Sequence, residues 1–466
     1  MKCGINTFPT ITLTCKVMKR YSISAVFRIT AALAILAATL ESPAQTALPH
    51  GFSGITVLGD QTISLALTGR VASLFRPYFD LYPMEVSTDL ATGRPLATLL
   101  RTNTSTNALV YSDLEATQFS ARFYRTVANL LITPTVRPTG PFAVGKISFL
   151  LSDPSRTNRY NVRTNSSFMV SYWYPAEPGS GELPGAWEDK PLAQDSNFWG
   201  SYTDRVPRFV AHSLPSASIA TNELNYPVII YVPGFTGTRA ENQEKFEDLA
   251  SHGFVVISAD HWEVYGTVFP DGRYLHGVGG DLSNTNFAAT AFSRRMQDVR
   301  IVLADLDRAN GSDPILAGRI DVSNVGLMGF SFGGGVSGET CRTNDRCRAA
   351  LFLDPGAQGA DELLQLGLQK PWLLMARTDR ASEGAIQSFF NKATNNAVWF
   401  VLSNTVHSSF AYGYETIDPS SANRELQRTM KAYILSFFNK YLKNEDDHLL
   451  DGPSTNFPRA INFMRK

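Results

Sequence analysis

Apolar positions along this chain follow two different rhythms. Between residues 48 and 131 they come in short alternating runs. Ile63, Leu65 and Leu67 alternate with small or polar residues, and Phe79, Leu81, Met84 and Val86 form a second run interrupted by Pro83. Further short runs follow at 95–100, 108–111 and 121–127. Period-two runs at spacings near ten residues predict a small all-β, sandwich-like accessory module. A Pro- and Thr-rich linker, 132–141, closes it.

From residue 142 the rhythm changes. Continuous apolar runs at 227–234, 254–260, 325–328, 348–354, 371–379 and 397–403 alternate with helical patterns at 239–253 and 293–310. A last helix places Leu426, Met430, Tyr433, Ile434, Phe437 and Tyr441 on one face. Buried strands alternating with amphipathic helices predict an α/β class, with a mostly parallel central sheet flanked by helices over 142–446. Residues 447–466 read as a charged C-terminal tail. No internal repeat is evident.

Composition narrows the setting. The 466 residues are 44% hydrophobic and 18% charged, with zero formal net charge. No basic stripe supports nucleic-acid binding, and no obligate protein partner is evident. Near the start, Lys19 and Arg20 precede 12 mostly apolar residues, 29–40, and the small-x-small step Ser42-Pro43-Ala44. That is a secretory signal pattern, and residues 1–47 read as signal peptide and leader. The apolar stretch falls short of the roughly 20 residues needed to span a bilayer, and Arg28 blocks its extension. The expected location is secreted or periplasmic. Loss of 1–47 removes five basic residues, one acidic residue, Cys3 and Cys15. Cys341 and Cys347 remain and are expected to form one local disulfide in an exported chain. No third Cys or clustered His accompanies them and H-E-x-x-H is absent, so no metal or cofactor is expected.

The chemistry centres on Gly329-Phe330-Ser331-Phe332-Gly333. A G-x-S-x-G between an apolar run and a Gly-rich helix start reads as a nucleophile elbow, a sharp turn whose neighbours must lack bulk. Gly329 and Gly333 are the elbow glycines. In the α/β-hydrolase arrangement the acid and then a histidine follow the nucleophile, on loops after later strands. Only His407 and His448 lie beyond the candidate acids. His448 sits in the charged stretch NEDDHLLDG, whereas His407 directly follows the run 397–403 and is the expected general base. Two acids end strands, Asp354 in LFLDPG and Asp379 in MARTD, and both fit the open end of a parallel sheet. Residue chemistry leaves that choice open. The oxyanion hole is expected from the N–H groups of Phe332 and of Phe235, with Gly234 and Gly237 allowing close approach of the backbone. His261 is expected to bond Asp260 structurally. His252, closing a helix, is expected at a position that favours a cation. GVGGD at 277–281 reads as a lid element rather than a nucleotide loop. Trp187, Phe198, Trp199 and Tyr202 could line the acyl pocket or pack on the scaffold. Asn103, Asn165 and Asn310 head glycosylation sequons.

Several stretches resemble the platelet-activating-factor acetylhydrolase-like family of α/β-hydrolases. They are TGPFAVG, YWYPA, YPVIIYVPGF, LASHGFVVISADH, RRMQDVRIVL, the GFSFGG elbow, LFLDPG and VHSSF, across roughly 138–445. That resemblance implies a serine esterase with Ser331, Asp354 and His407 as triad, no metal or calcium, and a short sn-2 acyl chain on a phospholipid as substrate. Transient contact with a lipid surface goes with such a substrate. The family's His-Gly start to the oxyanion loop is missing. In its place Pro233-Gly234-Phe235-Thr236-Gly237-Thr238, with ASHGFVV after it, resembles bacterial cutinases and polyester hydrolases, which implies Asp379 as the acid. The stretches VSTDLATGRPLATLL, YSDLEA and RFYR resemble a small β module of exported bacterial proteins. A cell-surface binding protein with an inactive hydrolase domain is the expectation from a different functional class.

Overall fold

In the computed structural model the described residues are 2–8, 10–16, segments of 51–126, and most of 133–466. The described part of 133–466 leaves out 158–164, 183, 194, 196–208, 224, 278, 381–382, 394–395 and 412–419. The apolar stretch 29–40 of the expected leader therefore lies outside them. The chain divides into two compact units, Met1–Thr133 and Pro134–Lys466.

The first unit is built from antiparallel strands, as its alternation predicts. One sheet runs Lys2–Phe8, Thr10–Lys16, Phe123–Thr126, Phe79–Ser87, Arg94–Thr102, and a second runs Gly51–Val57, Ile63–Thr68, Leu109–Asp113. The first two strands form a hairpin within the segment read as leader. The YSDLEA and RFYR stretches meet inside this unit. Buried Asp113 lies 2.6 Å from Arg122 Nε in an ion pair and accepts from Arg122 Nη2 at 3.3 Å and from the Tyr124 hydroxyl at 2.9 Å. An arginine with no exposed surface needs such a partner, so the motif is a structural ion pair.

The second unit carries the expected sheet. Its strands are β1 (Ala143–Thr157), β2 (Asn165–Ala176), β3 (Tyr226–Val232), β4 (Val255–Ala259), β5 (Ile320–Phe330), β6 (Cys347–Leu353), β7 (Trp372–Arg377), β8 (Ala397–Leu402) and β9 (Ala460–Arg465). Beyond a short edge strand at Leu214–Pro215 the order is β1-β2-β4-β3-β5-β6-β7-β8-β9. Strands β3 to β8 pair in parallel; β1 with β2, β2 with β4 and β8 with β9 pair antiparallel, and the edge strand Leu214–Pro215 pairs in parallel with β1. Every residue of β3 is buried. Val228, Ile230 and Val232 enter one core while Ile229 and Tyr231 enter the other, as the alternation of side chains across a two-faced sheet requires.

Helices cover both faces: α1 (Gln243–Ser251), α2 (Thr285–Ser312), α3 (Phe332–Thr343), α4 (Asp361–Leu366), α5 (Gly384–Lys392) and α6 (Ser421–Phe438). Helix α2 starts earlier than its apolar pattern, because the Asn284 side chain caps it by accepting the Phe287 N–H at 3.1 Å. Leu426, Met430, Tyr433, Ile434 and Phe437 of α6 are buried against the sheet as expected.

Two boundaries differ from the sequence reading. The stretch read as a tail contains β9, and Phe463 stacks on Phe400 of β8 with centroids 5.3 Å apart. Only its first part, with exposed His448, matches a solvated segment. Residues 134–141, read as linker, belong to the second unit. The Thr139 N–H donates to Asp248 at 2.8 Å and the Thr135 N–H to the Val210 carbonyl at 3.0 Å. Both stretches look polar because their contacts run through backbone groups and isolated aromatics.

Candidate active site

The site assembles at the C-terminal ends of the parallel strands. Strand order reverses around β3, β4 and β5, which opens a crevice where open α/β sheets place their chemistry. Strand β5 runs into Ser331, which has φ 51° and ψ −126°, and α3 begins at the next residue. A Cβ on Gly329 would overlap the Gly333 carbonyl, and one on Gly333 would overlap the Val232 carbonyl. The flanking glycines are thus demanded by contact, while the positive φ of the turn falls on Ser331 itself. The turn is pinned from three sides: the Ser331 N–H donates to Leu353 O at 3.0 Å, and its carbonyl accepts from Gly334 N at 2.9 Å and Gly356 N at 2.7 Å.

Ser331 Oγ lies 2.8 Å from His407 Nε2. His407 starts a short 3-10 turn after β8, and its ring lies tilted by 30° against Phe330 with centroids 4.7 Å apart. Its Nδ1 makes a short hydrogen bond to Asp354 Oδ2. Asp354 follows β6, has φ 41° and no exposed surface. The other acid, Asp379, has a side chain 72% exposed and bonds Arg377 Nε at 2.6 Å. The fold therefore brings together Ser331, His407 and Asp354, and leaves Asp379 outside that chain of hydrogen bonds.

Two arginines that the apolar pattern did not single out meet Asp354. The Arg377 N–H donates to Oδ1 at 3.2 Å and its Nη1 to Oδ2 at 2.8 Å. Arg380 Nη1 approaches Oδ1 at 3.3 Å. Burial pushes the Asp354 carboxyl up, but the His407 hydrogen bond, the Arg380 charge and the Arg377 donors outweigh it and hold it below the usual carboxylate range. An ionised carboxylate only accepts, so the proton of the His407–Asp354 bond sits on Nδ1. The Nε2 lone pair then faces the serine hydroxyl.

The loop after β3 lies beside the elbow. The rings of Phe235 and Phe332, whose N–H groups are the expected oxyanion donors, meet edge to face at 6.0 Å. Phe332 is the first residue of α3, where an amide has no intrahelical acceptor. The loop rests on a buried network. Glu241 Oε2 accepts from Gly234 N at 2.9 Å and from Tyr231 OH at 2.6 Å. Arg295 pairs with Glu263, donates to the Gly234 carbonyl at 3.3 Å, and lies 4.9 Å over the Phe332 ring. Burial raises the Glu241 carboxyl to about 7 and lowers Arg295 to about 9. Both residues belong to predicted helical stretches, where a charged residue ordinarily reads as a solvent face, so no local signal marked them.

Other expectations sort as follows. His261 is a buried structural histidine, but its Nδ1 meets Asp298 at 3.0 Å. Asp260 instead takes the Arg239 backbone N–H at 2.7 Å and the Arg239 guanidinium. A backbone neighbour lost to a residue one helix away because strand-end side chains point apart. His252 meets Thr139 Oγ1 at 2.8 Å, and burial lowers its pKa, so the expected cation is not favoured there. Lys443 supplies the charge at that helix end, donating to the His252 carbonyl at 2.8 Å. Gly280 lies under the Phe287 ring, which ties part of GVGGD to the start of α2. Trp187 is buried against Phe209, so it packs on the scaffold. Phe198, Trp199 and Tyr202 lie outside the described residues. Cys341 and Cys347 are disulfide-bonded, joining the end of α3 to the start of β6. Among the described residues no cluster suited to a metal ion occurs, and no helix is long and apolar enough to cross a membrane.

Residues 216–442 match the dienelactone hydrolase family. The chain is 23% identical over 390 residues to a probable 1-alkyl-2-acetylglycerophosphocholine esterase of Arthroderma benhamiae, covering 70% of this chain and 92% of that protein. It is 25% identical to the platelet-activating factor acetylhydrolase of Cavia porcellus, covering 51% of this chain and 60% of the relative. A cutinase of Thermobifida cellulosilytica is 29% identical over 155 residues, covering 33% of this chain and 49% of the cutinase. Among solved structures, a ferulic acid esterase from Streptomyces cinnamoneus superposes with a TM-score of 0.58 at 24% identity, covering 71% of this chain and 98% of that one. Residues 216–442 form a dienelactone hydrolase family domain and the fold is that of the α/β-hydrolases; the family and the relatives make it an ester hydrolase.

Proposed function

We propose that this ester hydrolase of the dienelactone hydrolase family works through Ser331 as nucleophile, His407 as general base and Asp354 as the acid that orients it. The observation that carries the reading is the unbroken run of hydrogen bonds from Ser331 Oγ through both His407 nitrogens to the buried Asp354 carboxylate. Ser331 Oγ attacks the ester carbonyl as its proton passes to His407 Nε2. The carbonyl oxygen, now an alkoxide, takes hydrogen bonds from the N–H groups of Phe332 and Phe235. The imidazolium protonates the departing alcohol, and water activated by the same nitrogen releases the acyl group.

For the substrate we favour a short acyl ester at the sn-2 position of a phospholipid. Two relatives bear names of that activity, and the acid after β6 fits the acetylhydrolase pattern. The second reading, a cutinase-type hydrolase of polyesters, is favoured by the Pro233–Thr238 loop and the cutinase relatives. We also read residues 1–47 as a cleaved export leader, with which the Cys341–Cys347 disulfide agrees. Cleavage there removes the strands at 2–16, and N-terminal sequencing of exported protein should begin close to residue 48.

A fluorophosphonate should label the Ser331 peptide, and lack of an adduct on active protein would sink the serine mechanism. Asp354→Asn should lower kcat on the order of 10⁴-fold by trapping the wrong histidine tautomer. Asp379→Asn should keep most of the activity; the reverse pattern points to the cutinase reading. A panel from acetyl phospholipid through p-nitrophenyl esters to a solid polyester separates the substrates.

A further inference from the structure

The carboxylate of Asp354 is enclosed on every side that His407 does not occupy. A carboxylate offers about four acceptor positions. Oδ1 takes the Arg377 N–H and Arg380 Nη1, while Oδ2 takes Arg377 Nη1 and His407 Nδ1. Each guanidinium is gripped from behind. Asp379 accepts from Arg377 Nε at 2.6 Å, and Glu383 accepts from Arg380 Nη2 at 2.8 Å. Arg380 also donates to the Pro355 carbonyl, next to the acid in sequence. Asp354 cannot be held this way by its own strand, since its φ of 41° turns it out of β6. Its N–H reaches across to Met375 O of β7 at 2.8 Å.

We propose that Arg377 and Arg380 are positioning residues for the reaction, clamping Asp354 so that one carboxylate oxygen alone faces His407 Nδ1, and that Asp379 serves as the outer anchor of Arg377. This rests on the triad reading above. The clamp has two separable effects. Orientation sets how well His407 is aimed. Charge sets how strongly Asp354 stabilises the imidazolium, because two adjacent cations draw off part of its negative potential. The charged groups facing the Asp354–His407 pair among the described residues are Arg377 and Arg380, with Asp379 and Glu383 behind them; the His407 ring lies against that of Phe330.

The signs follow. Arg377→Gln removes a cation beside Asp354, so the imidazolium becomes more stable and the acid limb of the kcat profile moves to higher pH. Loss of aim lowers kcat on the order of tenfold with KM little changed. Arg377→Lys keeps the charge without the fork, so it should hold the acid limb near wild type and recover only part of kcat. Asp379→Asn, the mildest change, should shift the limb slightly the other way. The test is a set of pH–rate profiles for full-length wild type, Arg377→Gln, Arg377→Lys and Asp379→Asn, with rates divided by active sites titrated with a fluorophosphonate. Wild-type kcat and profile per titrated Arg377→Gln site would overturn the clamp, and so would a loss confined to the number of titratable sites, which marks a merely structural role. If Arg377→Gln yields no folded protein, the Lys and Asp379→Asn profiles decide by the same criteria. Ser331→Ala separates the two levels: if it remains active the triad reading fails, whereas an inactive Ser331→Ala beside an unaltered Arg377→Gln leaves the triad standing and removes only the clamp.

Discussion

Glu241 illustrates how a single buried side chain can serve a site it does not touch. Its Oε2 holds the Gly234 N–H and the Tyr231 hydroxyl, and so fixes the loop expected to carry one oxyanion donor. Glu241→Ala leaves both donors without that acceptor, and kcat should fall on the order of tenfold or more with the fold retained. Glu241→Gln keeps an acceptor oxygen and should retain most activity. The pair also differs in pH response. Burial raises this carboxyl from 4.5 to about 7, so the folded chain holds an extra proton between those values. The stability from that proton is complete below pH 4.5 and is lost as pH rises through 7. Thermal melts of Glu241→Gln between pH 4 and 8 should therefore slope less steeply downward than those of wild type; an unchanged slope would refute the assignment. Asp354 has the opposite sign. Its depressed pKa favours the fold above the ordinary carboxylate range, and that contribution disappears as pH falls through the folded value. At this scale Ser331 and His407 stood out as candidates from their flanks and their order in the chain. Glu241, Arg295, Arg377 and Arg380 were not, because a charged residue has no local mark that tells a buried partner from a solvated face.

At the scale of elements, the elbow helix α3 is secured at both ends. Its start is the strained Ser331 turn, and its end is disulfide-bonded to Cys347 at the start of β6, the strand that delivers Asp354. The disulfide closes a loop with a sequence separation of 6. A Cys341→Ser/Cys347→Ser variant should lose about 2 kcal/mol of stability on the chain-entropy account and melt a few degrees earlier, with kcat at 25 °C unchanged. A fall in kcat without a change in melting would contradict a purely stabilising role. Strand β9 has a different duty. It covers β8, through antiparallel pairing, the Phe463–Phe400 stack and the Lys466 N–H to Ala397 O at 2.9 Å. Deleting 460–466 leaves β8 as an open apolar edge, so light scattering should register association of the truncated chain, where wild type stays dispersed. The parallel strands β3 to β8 were legible as apolar runs because both their faces are buried. Strand β9 was not: its burial is confined to one residue, with the rest half-exposed or exposed, and the pattern resembles a tail.

For the whole molecule, the division at residues 133 and 134 leaves the candidate site within one unit. A protein of residues 134–466 should fold by itself and hydrolyse a soluble p-nitrophenyl ester at a rate close to that of the full chain, measured per titrated site. Loss of that activity would mean that the N-terminal module takes part in the chemistry. The sequence by itself determined the mostly parallel α/β plan with a small β module before it, the alternation of the buried central strands with helices, Ser331 and His407 as candidate nucleophile and base, and the Cys341–Cys347 pairing. These follow from period, spacing and chain order, which are local or one-dimensional properties. Only the tertiary structure decided between Asp354 and Asp379 as the residue that meets His407. Both end parallel strands in similar local sequence, and what separates them is lateral position: the carboxylate after β6 is buried within reach of the ring, while the one after β7 faces solvent and holds an arginine. The partners of His261 and Glu241 were decided in the same way, since residues far apart in the chain meet only after the sheet has stacked its strands and helices.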